Sequence, residues 1–143
     1  MSYATLQDLK DRYLEQDLIQ LSDPQAQVLQ ENVLLRALDD AESEINSYLA
    51  ERYTLPFVNP PAVLTRLACE LAMYHMMVLR QMGDLEGINA RYRHSVEFLK
   101  GVNAGRFVLG VAASQAPAST AFGVRINAAP SRFSKSEFMG GLR

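Results

Sequence analysis

Few of the residues that could do chemistry stand at spacings that chemistry needs. His94 and Glu97 lie three apart on a predicted helix, the spacing of a surface pair. No second histidine or carboxylate joins them to make a metal site or an acid–base couple. His75 falls inside an apolar helix and reads as a hydrogen-bonded core or interface histidine. Cys69, the single cysteine, sits among Leu67, Ala68, Leu71 and Ala72, so it reads as a packed small apolar residue rather than a reactive thiol. It also excludes an internal disulfide and fits a reducing compartment. Met73, Met76, Met77 and Met82 read as adaptable core filling. Gly83, Gly87, Gly101, Gly105 and Gly110 are spread with no phosphate-loop signature. Arg66, Glu70 and Arg80 would be the polar members of a site between helices if they proved buried. The expectation is no catalytic residue, no cofactor, no metal and no enzyme activity.

The elements that carry these residues read as helix for the first hundred positions. Thr5 and Asp8 form a capping-box pattern that opens a short helix over about 6–14. A second short turn covers 18–21 and stops at Ser22-Asp23-Pro24. The longest segment, about 31–52, repeats Leu34, Leu38, Ala41, Ile45 and Tyr48 at spacings of four and three, one apolar stripe. Pro56, Pro60 and Pro61 break the pattern, with Pro61 at the first position of the next helix. That helix runs to about Gln81 and is apolar on nearly every side, the mark of a central core helix. A further helix over 85–102 turns Ile88, Tyr92, Leu99 and Val102 inward, with Gly101 and Gly105 marking a fraying end. The fold class is all-α, a small antiparallel bundle of about four helices followed by an extended, largely irregular C-terminal arm. The helical domain covers 1–105 and the arm 106–143. A short strand is predicted over 106–111.

Charge divides the chain at the same place. Residues 1–100 hold 9 Lys and Arg against 15 Asp and Glu, whereas residues 101–143 hold 5 against the single Glu137. The whole chain of 143 residues has a net charge of −2, which argues against sequence-independent nucleic-acid binding. No apolar run reaches the length that spans a bilayer, and the first residues do not form a signal peptide, so no membrane is expected. The tail is rich in small residues and cannot bury enough of itself to fold alone. Its scattered anchors, Phe122, Arg125, Arg132, Phe133, Lys135, Phe138, Met139 and Leu142, have the pattern of a peptide that docks on another protein. This arrangement points to assembly.

An ordered set of segments resembles a known family. Tyr3-Ala4-Thr5-Leu6-Gln7-Asp8-Leu9, Leu18-Ile19-Gln20-Leu21-Ser22-Asp23, Arg36-Ala37-Leu38-Asp39-Asp40-Ala41, Glu44-Ile45-Asn46-Ser47-Tyr48-Leu49, Arg52-Tyr53-Thr54-Leu55-Pro56, Pro60-Pro61 leading to Leu67-Ala68-Cys69, and Ser131-Arg132-Phe133-Ser134 are similar to the head–tail connector proteins of Mu-like phages and prophages. The resemblance implies a helical adaptor in the virion neck, made in the host cytoplasm. Such adaptors form a homo-oligomeric ring, usually a dodecamer, beneath the portal protein. The ring extends the channel for double-stranded DNA and meets a downstream neck or tail protein. In that setting Asp39, Asp40 and Glu44 form a possible channel-facing acidic face that would repel passing DNA; the same run also suits a solvated helix face. A stopper or tail-completion protein, a small helical DNA-binding regulator and a bundle enzyme are the other readings.

Overall fold

Five α-helices build the protein: α1 (Leu6–Arg12), α2 (Glu15–Ser22), α3 (Glu31–Leu49), α4 (Ala62–Arg80) and α5 (Leu85–Asn103). The computed structural model describes residues 2–81 and 83–111. Among them there is no strand, so the all-α bundle expected from the sequence is the fold. Three helices of 19 residues each, α3, α4 and α5, form its frame. The two short helices lie across α3 and α4.

Several helix ends have identifiable partners. Thr5 Oγ1 accepts from the Asp8 N–H and the Asp8 carboxylate accepts from the Thr5 N–H, the reciprocal box that satisfies two orphan donors of α1. The Asp8 carboxyl is consequently held below the usual carboxylate range, first by its bonds to Thr5. Arg80 reaches back to donate to the Leu21 and Ser22 carbonyls at 3.1 and 3.4 Å, a cation on the open C-terminus of α2. Asp23 gathers the N–H groups of Gln25, Gln27 and Val28 and so shapes the loop into α3. Pro61 is the N-cap of α4, so the helix starts at Ala62, one residue later than the sequence pattern placed it.

The core is continuous. Leu34, Leu38, Ala41 and Ile45 of the α3 stripe are buried against Leu64, Leu67, Leu71 and Met76 of α4 and Leu99 and Val102 of α5. Each fully buried Leu or Ile contributes about 1.5–3 kcal/mol relative to exposure. By length and composition α4 would pass for a membrane-spanning helix, contrary to the expectation that no run reaches that length. Eight of its side chains are buried inside the body. Cys69 is one of them, and burial pushes its thiol up to about 11.

The end of α5 departs from the sequence reading. It does not fray. Gly105 N–H donates to the Val102 carbonyl and Arg106 N–H to the Gly101 carbonyl, the paired bonds of a Schellman motif, with Gly105 at φ +78°. A Cβ on Gly105 would stand 2.7 Å from Arg52 Nη1, and one on Gly101 would stand 2.6 Å from the Phe107 ring. The chain that follows is held on the body without forming the predicted strand. Phe107 stacks on Phe98 at 5.4 Å, Leu109 is buried, and the Leu109 N–H donates to the Tyr53 hydroxyl at 3.3 Å. Its backbone partners are a side chain and the helix end rather than a neighbouring strand, which is why no strand forms.

Candidate functional site

Two carboxylates on the long helices organise the polar side chains of the body. Glu44 of α3 accepts from His75 Nε2 of α4 at 2.8 Å and from the Tyr92 hydroxyl of α5 at 2.7 Å, so one carboxylate ties all three long helices. Tyr92 stacks on Tyr74 with ring centroids 3.9 Å apart. Burial, and then the bond to Glu44, hold the Tyr92 hydroxyl protonated well above the usual tyrosine range. The Glu44 side chain is only 18% exposed. This cluster is closed.

Glu70 of α4 stands on the side facing α1 and α5. Its oxygens accept from Arg66 Nη1 at 2.8 Å and from Ser95 Oγ at 2.7 Å. Here the cluster opens into a groove. One cavity of about 380 Å³ is lined by Arg66, Glu70, Arg91, His94, Ser95 and Phe98. A second, of about 200 Å³, shares Glu70 and Arg91 and has an apolar floor of Met73, Met77, Ile88 and Tyr13. A third recess brings Arg12 of α1 beside Arg66, Glu70 and Arg91. Arg66 is balanced by Glu70, while Arg12 and Arg91 have no ion-pair partner among the described residues. With Asp17 also on its wall, the groove sets Arg12, Arg66 and Arg91 against Glu70 and Asp17, a small positive surplus beside a small apolar floor. That combination suits an acidic partner segment with an apolar anchor.

The structure redistributes the residues singled out from the sequence. Asp39 and Asp40 are exposed on α3, but Glu44 turns between α4 and α5 and leaves the acidic face. A carboxylate saturated by a histidine and a tyrosine is structural, so that face consists of Asp39 and Asp40. His75 is the hydrogen-bonded histidine expected, and its partner is Glu44. Arg66 and Glu70 pair across one helical turn, whereas Arg80 serves as a cap. His94 and Glu97 are both exposed. Among the described residues no three His, Cys, Asp or Glu side chains converge as a metal site. Phe122, Arg125, Arg132, Phe133, Lys135, Phe138, Met139 and Leu142 lie outside the described residues, as does Met82. Nothing in the sequence marked Arg12 and Arg91 as a pair, since they come from different helices.

Residues 3–128 match the family described as Bacteriophage Mu, Gp36. The chain belongs to the Mu Gp36 family. The Mu-like prophage FluMu protein gp36 of Haemophilus influenzae is 36% identical over 110 residues, 76% of each chain. Gene product J of Escherichia phage Mu is 36% identical over 113 residues, 78% of each chain. The Gp36 match takes in all five helices, Phe122 and Arg125. It stops before Arg132, Phe133, Lys135, Phe138, Met139 and Leu142.

Proposed function

We propose that this Gp36-family chain is a structural head–tail connector subunit of a tailed phage. Copies form a ring beneath the portal protein, extend the DNA channel, and present a surface to the next neck or tail protein. The role is structural rather than catalytic, and the place of action is the virion neck. One observation carries the reading: the chain has two parts. A helical body is capped and packed through Val111, and residues 112–143 then hold four Lys and Arg against Glu137. Such a basic, small-residue segment gains little by folding on itself and much by lying on an acidic partner. Membership of the Mu Gp36 family supports the phage setting, and the resemblance of the sequence to neck adaptors favours this position.

The C-terminal segment is the docking arm in this proposal. Phe122, Phe133, Phe138, Met139 and Leu142 supply burial, and Arg125, Arg132 and Lys135 supply steering and register. Truncation after Val111 keeps Leu109 and its bond to Tyr53, so the body stays helical by circular dichroism. Capture by purified portal rings of the same phage is then lost. A truncated chain that still binds portal rings overturns the arm assignment, and binding only to tail-end complexes moves the protein to a stopper or tail-completion position.

A further inference from the structure

The groove between α1, α4 and α5 combines two guanidiniums without an ion-pair partner among the described residues, Arg12 and Arg91, with an apolar recess over Met73, Met77 and Ile88. Its occupant needs the opposite charge and an apolar side chain about one helical turn away. Residues 112–143 have the wrong sign, being basic like the groove. The outer face of α3 has the right one. Asp39 and Asp40 are exposed and unpaired among the described residues, and Leu35, 45% exposed, stands one turn before Asp39. No α3 residue lines the groove, so the two surfaces lie on different elements of one subunit.

We infer that the α1/α4/α5 groove of one copy receives the Leu35–Asp39–Asp40 face of α3 of a second copy. Leu35 enters the apolar recess, and Asp39 and Asp40 meet Arg12 and Arg91. Arg36, on the same face as Asp40, meets Asp17 on the groove wall. Each copy offers one surface and receives the other, the head-to-tail pairing that a closed ring requires. The inference rests on the ring reading above and gives Asp39 and Asp40 an intersubunit role in place of a channel-lining one.

Charge reversal tests it on the full chain. One variant carries Arg12→Glu with Arg91→Glu, the other Asp39→Arg with Asp40→Arg; all four positions are exposed, and circular dichroism verifies that both variants fold. Sedimentation equilibrium at low salt should show the wild-type chain self-associating, and each variant alone should associate more than about ten-fold more weakly. An equal mixture should regain association, because every groove then finds an α3 face of opposite sign. Leu35→Asp should weaken association without rescue by either charge variant. Variants that associate as the wild type does, or a mixture that stays dissociated, overturn this contact and leave a ring built through other faces. A wild-type chain monomeric at every salt and concentration also overturns it; capture of that monomer by portal rings would still keep the connector reading.

Discussion

Glu44 and Glu70 are the same residue type, each on a 19-residue helix and each accepting two side-chain hydrogen bonds, yet they sit in opposite circumstances. Around Glu44 the donors, His75 and Tyr92, come from the two other long helices, and the cluster closes on itself. Around Glu70 the neighbouring Arg66 is balanced, but Arg12 and Arg91 stand nearby with no ion pair among the described residues. What separates a structural carboxylate from a binding groove is the charge left over beside it, not the number of its bonds. One side of α4 is finished within the subunit. The other leaves charge unbalanced among the described residues.

Substitutions at the two carboxylates should give the widest separation. Glu44→Ala leaves His75 and Tyr92 without their acceptor and should cost about 2–3 kcal/mol in urea unfolding. Glu70→Ala frees the exposed Arg66 but leaves the buried Ser95 hydroxyl without its acceptor, should cost about 1 kcal/mol, and should make the groove more positive. Equal losses would erase the contrast. Next in size, Thr5→Ala removes the box that opens α1, the helix that brings Arg12 to the groove, at about 1 kcal/mol. Because the Asp8 carboxyl is held low in the folded chain, its contribution is present above about pH 4, the unfolded value, and is lost as pH falls through the lowered folded value. Acid titration of Thr5→Ala should therefore show a shallower loss than the wild type.

A third test sits on the closed side. The Tyr92 hydroxyl titrates above its unfolded value of about 10, so its stabilising effect is present below that pH and disappears as pH rises toward the folded value. Tyr3, buried and donating to Asn46, is likewise pushed up to about 12. Unfolding followed by far-ultraviolet circular dichroism should show an alkaline limb beginning near pH 10. In Tyr92→Phe that limb should be shallower, with about 1 kcal/mol lost at neutral pH. The smallest effect is expected at Ser95→Ala, about 0.5 kcal/mol, since Arg66 still holds Glu70.

Much of the bundle was legible in the sequence because local rules decided it. The α3 stripe, the all-round apolar α4 and the Thr5–Asp8 box each follow from spacing within one segment. The end of α5 was misread as fraying because Gly101 and Gly105 weaken a helix by propensity. Only the Phe107 ring over Gly101 and the Arg52 guanidinium over Gly105 show why glycine stands there. The same long-range packing turned a predicted strand into a strap held by Tyr53 and Phe98. Glu44 looked like Asp39 and Asp40 in a run of acids. Its place next to Ile45 and four before Tyr48, at the edge of the buried stripe, was the one clue that it turned inward. Of the groove only Arg66 and Glu70 were legible, as polar members of a site between helices; Arg12 and Arg91 come from other helices and meet them only through the fold.

The connector role is tested most directly by cosedimentation of the full-length chain with purified portal rings from the same phage, read by stoichiometry. A connector subunit should bind saturably at one copy per portal subunit. A chain that neither binds portal rings nor is captured by tail-end complexes would contradict it.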